Sequence, residues 1–313
     1  MADRTLISIV APFFNEGEVV ATFYERITKV ANTIPDVEFE FVCVNDGSRD
    51  DTLEKLAQLV ADDARVRVID LSRNFGKEAA LTAGLDEARG DAVIPMDADL
   101  QDPPELIPTL ISHWRQGYEV VLAKRSDRQS DGFLKKKTAE LFYRLHNHIS
   151  DTAIPENVGD FRLLDRAVVT ALHALPERRR FMKGLFAWVG FKTATVEYAR
   201  ATRVAGKTKF TGWRLWNFAL EGITSFSTMP LRVWTYLGTS FAIIGFLYAL
   251  FIILRTLVFG VDLPGYASLL TAILFLGGIQ LMGIGVIGEY IGRIYIESKQ
   301  RPIYIVRARL QRK

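Results

Sequence analysis

Short apolar runs alternate with longer stretches in which apolar residues recur every three or four positions, and this alternation fills the first hundred residues. LISIVAPFF reads as a buried strand; behind it Val19, Val20, Phe23 and Ile27 share one face of a helix from about Glu18 to Asn32. FEFVCVN is a second strand, ending in Asp46-Gly47-Ser48, and TLEKLAQLVA a second helix. VRVIDL and AVIPMD supply a third and a fourth strand, with EAALTAGLDEA as the helix between them. Strand and helix in this order predict an α/β fold with a central, mostly parallel sheet, right-handed crossovers and a ligand crevice at the carboxyl ends of the strands. From Gly117 to Tyr198 the pattern loosens to one strand (EVVLAK), a basic helix around Leu134 to His148 and a further helix after Asp165.

The C-terminal third reads differently. Val233 to Leu254 and Gly265 to Gly288 carry no charged residue, and each exceeds the roughly 18–20 residues needed to cross a bilayer. Buried core helices normally keep a polar face, which these lack, so two transmembrane helices are predicted. Between Gly212 and Met229, Trp213, Trp216, Phe218 and Leu220 stand among Arg214 and Glu221, as in an interfacial helix, although a buried helix has the same composition. Lys207, Lys209, Arg214 and Arg232 precede the first span, and Arg293, Lys299, Arg301, Arg307, Arg309, Arg312 and Lys313 follow the second. The link FGVDLP has neither Lys nor Arg, so both termini are expected on the cytoplasmic side of a bacterial inner membrane. MADRT runs straight into the first strand, so no signal peptide is expected.

This divides the 313 residues into a catalytic domain (1–210), an interfacial region (211–231), two spans (232–292) and a basic cytoplasmic tail (293–313). The net charge of +3 gathers beside the spans, where it suits anionic headgroups or an anionic lipid substrate. No nucleic-acid recognition motif accompanies it. Cys43, in the run FEFVCV, is the only cysteine and excludes an internal disulfide; it reads as a core thiol. Gly288 and Gly292 form a G-x-x-x-G that allows a homo-oligomer.

The chemistry lies at the strand ends. Asn15 and Glu16 follow the first strand, Asp46 the second, Arg73 and Asn74 the third, Asp97 and Asp99 the fourth, so all converge on one mouth. D-x-D after a strand sends two carboxylates the same way, an arrangement that suits a hard divalent cation. A calcium loop of the EF-hand type is excluded by Asp102, where glycine is required, and by Gln101 in place of Asp or Asn. Asp102-Pro103-Pro104-Glu105 reads as a helix start with Asp102 and Glu105 as its capping residues. No glycine-rich phosphate loop is present, so a Mg2+ or Mn2+ ion would have to carry a diphosphate and act as Lewis acid toward an activated donor.

The segments APFFNE, VNDGSRDDT, RNFGKEAAL and MDADLQDPPE together resemble the family 2 glycosyltransferases of GT-A fold. LAKRSDRQSDGFLKKKTAELFYRLHN, ENVGDFRLLDR, RRRFMKGLFAWVGF and GEYIGRIYIESKQRP extend the resemblance over almost the whole chain, to the members that charge undecaprenyl (bactoprenol) or another polyprenyl phosphate with one sugar for O-antigen modification. The resemblance implies that Pro12, Phe14, Glu16, Val44 and Asp46 line the uridine site, with Phe14 where the family has Tyr. It implies that Asp97, Ala98 and Asp99 meet the diphosphate, that Asp99, Gln101 and Asp97 hold the metal, and that Arg125, Arg203 and Lys209 clamp phosphate. Asp160 either orients the acceptor or acts as a base, and it pairs with Arg162 if it does neither. A lipid phosphate acceptor is already ionised at neutral pH and needs positioning more than deprotonation; Arg128 and Lys135 are candidates to hold it. His146 and His148, two apart on a predicted helix, do not form a metal pair.

The reading is therefore inverting transfer of a single sugar, glucose by resemblance, from a UDP-sugar to polyprenyl phosphate at the membrane face. Mannosyl or aminoarabinose transfer to the same lipid, or a non-catalytic sugar-nucleotide-binding scaffold, are its rivals. Processive polymer synthesis is disfavoured because Q-x-x-R-W does not occur.

Overall fold

The computed structural model describes residues 5–126, 158–178, 180–198, 229–259 and 265–312. The strands are β1 (Thr5–Phe13), β2 (Val37–Asn45), β3 (Val66–Leu71), β4 (Ala92–Pro95), β5 (Val120–Arg125), β6 (Val158–Asp165), β7 (Thr193–Tyr198) and β8 (Val306–Gln311). The helices are α1 (Val20–Ala31), α2 (Thr52–Asp62), α3 (Lys77–Glu87), α4 (Ile107–Arg115), α5 (Arg166–His173), α6 (Met182–Trp188), α7 (Met229–Phe259) and α8 (Tyr266–Ser298). All eight strands form one sheet in the order β7-β5-β6-β4-β1-β2-β3-β8. β1 to β4 pair in parallel, β6 runs against β4 and β5, and β8 runs against β3. This is the α/β, mostly parallel architecture expected from the alternation.

The sheet is buried on both faces, which is why its central strands are nearly continuous in apolar residues. Ile7, Ile9, Phe39 and Phe41 pack under α1, α2 and α4 on one face, and Val10, Val42, Val44 and Ile69 under α3 and α5 on the other. α3 is covered almost all round, Ala79 to Leu85 being buried, and its run of Ala and Gly lets it approach the sheet closely. A Cβ on Gly84 would lie 2.2 Å from Val10 Cγ1. Pro12 is tolerated in central β1 because odd positions bond β2, as Asp46 N does to Phe13 O, while even ones face β4, whose pairing ends at Val10.

The second apolar helix runs past the uncharged block to Ser298, because GEYIGRIYIES contains no breaker stronger than glycine and Glu289 pairs with Arg293 one turn on, at 3.2 Å. Within the basic C-terminal segment, β8 pairs with β3, and its arginines reach two acids, Arg307 Nε the buried Asp70 Oδ2 at 2.6 Å and Arg309 Nε the partly buried Glu87 Oε1 at 2.7 Å. α7 and α8 have 31 and 33 residues, about 46 and 50 Å at about 1.5 Å per residue, more than the ~30 Å hydrocarbon core. Both are long and apolar enough to cross a membrane, and Ile243, Phe246, Leu247 and Ile284 stand exposed on them. The predicted basic and interfacial helices, with His146 and His148, lie outside the described residues.

Gly84→Ala is expected to lower stability by about 1–3 kcal/mol through overpacking against Val10, outweighing a helix-propensity gain of about 1 kcal/mol. A lower thermal midpoint would agree; an unchanged or higher one would rule out the close α3–β1 contact.

Candidate functional site

The strand ends form a mouth whose loops are fastened to one another. After β1, Asn15 adopts a left-handed conformation (φ 52°), which Asn tolerates better than most residues. Its N–H donates to Ser48 Oγ at 3.0 Å, and its side-chain oxygen accepts from Arg49 N at 2.8 Å. Glu16 N donates to Thr52 Oγ1 and Gly17 N to Asp50 Oδ2, so the loop after β1 is closed on the loop after β2. Phe14, 40% exposed, presents its ring at this edge. Pro12 lies beneath it in β1.

Asp46 ties the second loop to the third. Its carboxylate accepts from Phe75 N at 2.7 Å, Gly76 N at 3.0 Å and Asn74 Nδ2 at 2.9 Å. Most of its acceptor capacity is therefore spent inside the protein. Gly47 (φ 64°) is required here, since a Cβ would lie 2.4 Å from the carbonyl carbon of Arg73. The side chains of Val44 and Ala98 are buried in the two cores, so only their backbone can meet a nucleotide.

β4 delivers Asp97 and Asp99. Leu100 takes φ 55°, unusual for a branched side chain, and buries that side chain completely; the turn it makes separates Asp99 from Gln101, whose N–H donates to Asp99 Oδ1 at 3.2 Å. Lys77, the first residue of α3, stands with Nζ 2.6 Å from Asp97 Oδ1 and 2.6 Å from Asp160 Oδ2. Asp160 comes from β6, which carries extra residues there: Leu122 pairs with Arg162 but Lys124 with Val158. Arg162 holds this irregular stretch, donating to Gly159 O at 2.7 Å and Asp160 O at 3.4 Å, with its guanidinium 4.1 Å from the centre of the Phe186 ring.

Asp102 and Glu105 do not cap the next helix. Asp102 is buried and accepts a short hydrogen bond from Tyr198 Oη, with Arg125 Nη2 3.7 Å away, while Glu105 forms a two-pronged pair with Arg26 at 2.8 and 2.9 Å. The two prolines alone make the helix start, at Pro103 and Pro104. Arg125 is thus turned toward the mouth by Asp102 and Tyr198, against Gly159, where a Cβ would lie 3.3 Å from Arg125 Nη2.

The mouth is rich in negative charge. Burial, with the charges of Asp99 and Asp97, pushes Glu16 up from 4.5 to about 7. Burial and Asp160 push Glu78 to about 7 as well. Burial acts the same way on Asp160, but Lys77, Lys183 and Arg162 outweigh it and bring Asp160 down to about 2. Among the described residues no three His, Cys, Asp or Glu side chains are gathered tightly enough to hold a metal ion. The donor set of Asp97, Asp99 and the Gln101 amide nevertheless fits a hard cation, and the raised Glu16 marks the excess negative charge that such an ion would relieve.

Asp97, Asp99, Asp160, Arg125, Glu16 and Asp46 are thus placed around one mouth. Arg128, Lys135, Arg203 and Lys209 lie outside the described residues. Lys77, Glu78, Arg162 and Tyr198 were not singled out from the sequence as site residues. Lys77 had a signal: a cation at the start of a helix opposes the helix dipole and needs a carboxylate nearby.

The sequence pattern of glycosyl transferase family 2 matches residues 8–172, and that of the GtrB C-terminal hairpin matches residues 229–294. A protein of Shigella phage SfV named bactoprenol glucosyl transferase is 59% identical over 306 residues, which cover 98% of this chain and 99% of that one. A prophage bactoprenol glucosyl transferase homolog of Escherichia coli K12 is 57% identical over 301 residues, covering 96% and 98%. A glycosyltransferase of Synechocystis is 52% identical over 300 residues, covering 96% and 94%.

The folded protein keeps the Glu16 proton up to about pH 7, whereas an unfolded glutamate releases it near 4.5. Stability therefore falls as pH rises through that window and levels off above it. In buffer without divalent cations, Glu16→Gln is expected to flatten the fall in thermal midpoint between about pH 5 and pH 8, leaving the share due to Glu78. An unaltered slope would mean that Glu16 does not titrate there.

Proposed function

The chain belongs to glycosyl transferase family 2, and on that premise we propose that it moves glucose from UDP-glucose to polyprenyl phosphate at the cytoplasmic face of a bacterial membrane. The observation that carries this reading is the end-to-end likeness to the bactoprenol glucosyl transferases, together with a mouth that combines D-x-D, Asp160 and Arg125. A phosphate oxygen of the acceptor attacks the anomeric carbon in line. The bond from that carbon to the β-phosphate oxygen breaks, and UDP departs with inversion.

The mouth divides the work. Phe14 and the backbone at Pro12, Val44 and Ala98 line the nucleotide, with Glu16 and Asp46 beside them. Arg125, joined by Arg203 and Lys209, stabilises charge on the diphosphate. Asp99, Gln101 and Asp97 are the residues to hold a Mg2+ or Mn2+ ion, whose chemistry when bound is neutralisation of the departing diphosphate. Asp160, brought down to about 2, is a weak base at neutral pH; this favours orientation of the acceptor over proton abstraction. Since a phosphate monoester is already ionised, no base is required. Arg128 and Lys135 are proposed to draw its headgroup in.

The membrane topology has a structural support. β8 follows both long helices yet pairs with β3 of the sheet that begins at β1. A chain that leaves this sheet, crosses a bilayer and returns to it must cross an even number of times. The Lys and Arg residues flanking the spans favour the cytoplasmic side for that sheet.

Purified protein supplied with UDP-glucose, polyprenyl phosphate and Mg2+ or Mn2+ is expected to form a glucolipid, and EDTA is expected to stop it. Asp99→Ala should lower the rate by at least about 100-fold, as loss of a transition-state electrostatic contact does. No product with UDP-glucose while another UDP-sugar reacts would overturn the choice of glucose, and parental activity in Asp99→Ala would overturn the site.

A further inference from the structure

A cavity of about 190 Å3 lies between β5, β6 and α6, on the side of the sheet away from β1, β2 and β3, and none of the described residues assigned above to the donor lines it. Its walls include Leu122, Val158, Phe186 and Phe191, and two cations, Arg162 and Lys183, line it with them. Val158 and Arg162 flank Asp160 on β6 and both line the cavity, and the charge of Lys183, which lines it too, acts on the Asp160 carboxylate, so the cavity lies beside Asp160. Among the described residues Asp160 Oδ1 is buried without a hydrogen-bond partner, although Oδ2 is held by Lys77. Arg162 is 4% exposed, and among the described residues no carboxylate lies within ion-pair distance of it. A buried guanidinium next to an apolar cavity and lacking such a partner favours an anion there.

The same region faces the membrane exit. Arg178 N donates to both carboxylate oxygens of Glu297 at 3.0 Å, so the last turn of α8 is docked just ahead of α6, the helix that carries Lys183. A lipid leaving the bilayer beside α8 therefore meets α6 first.

We propose that Lys183 and Arg162, with the apolar walls around them, form the subsite for the acceptor: a phosphomonoester on an apolar chain, its phosphate between the two cations and its first carbons against Phe186 and Phe191. The identity of this acceptor rests on the glucosyl-transfer reading. The volume is below the ~300–1,000 Å3 of sites that enclose a drug-sized ligand, so the cavity takes the headgroup and leaves the rest of the chain outside. Arg162 has a second duty in holding the Asp160 stretch, so Lys183 and Ala187, which also line the cavity, are the positions to vary.

The test uses the full chain in detergent or nanodiscs. Lys183→Gln, and Ala187→Phe to fill the cavity, are expected to raise KM for undecaprenyl phosphate about tenfold, the scale of one charge-assisted hydrogen bond, with UDP affinity within twofold of the parent. Lys183→Arg is expected to restore most of the loss. An unchanged KM for the lipid in both variants, or an equal loss of UDP affinity, would overturn the proposal. A second arm needs no turnover: undecaprenyl phosphate, undecaprenol and inorganic phosphate are each titrated against parent and Lys183→Gln. Tighter binding of the lipid phosphate than of either fragment, weakened in the variant, supports the subsite even if UDP-glucose is not the donor. Equal binding by parent and variant overturns it.

Discussion

One ammonium group joins the two halves of the mouth. Lys77 Nζ touches Asp97, which arrives on β4, and Asp160, which arrives on β6, at 2.6 Å each. Without a cation between them the two carboxylates would repel, and one would have to take up a proton. Burial alone raises both; the lysine is what pulls Asp160 far down. The lysine is in turn driven up from its ordinary value by the same pair, against the burial that opposes its charge. Its position is fixed by the Asp46 carboxylate, which gathers the loop before α3, and by Gly84, which lets α3 lie close against β1. Each of these contacts is a constraint on where one charge sits.

The same economy holds at the other edge of the sheet. β8 brings the chain back from α7 and α8 and closes on β3 through Arg307 and Asp70, and Asp70 also accepts from Asn45 Nδ2 at 2.8 Å. Asn45 immediately precedes Asp46. The strand that follows the long apolar helices is thus linked through two buried polar residues to the loop after β2. On the opposite side, Glu297 of α8 meets Arg178 ahead of α6. The end of α8 and the strand that follows it are therefore fastened to the two flanks of the mouth.

Much of this was legible in the sequence. Period-two and apolar runs gave β1 to β4 to within a residue or two, since a strand buried on both faces has few compositions open to it. VRVIDL matched β3 at both ends. The D-x-D was legible as a pair of carboxylates behind a strand, but β4 ends at Pro95, so the turn that follows it, and not strand alternation, sets where Asp97 and Asp99 point. β8 was not, because VRARLQ alternates apolar residues with arginines, and its partners Asp70 and Glu87 are more than two hundred residues away. Asp102 was misread for a related reason: followed by two prolines it looks like a cap, and only the fold brings Tyr198 and Arg125 to it. Asp160 was found, but the irregular pairing that aims it and the arginine that holds that pairing are properties of three strands together. Lys77 stood in a quoted motif, and its role needed the distances to Asp97 and Asp160.

The most direct measurement is steady-state sugar transfer by Lys77→Gln beside its thermal midpoint. If the ammonium organises the mouth, kcat/KM falls by at least about 100-fold, the scale of a lost site electrostatic contact, at a temperature where both proteins are folded, and the midpoint falls as well because Asp97 and Asp160 are left facing each other without a cation. Transfer at the parental rate with Gln at this position would contradict the central role given to Lys77.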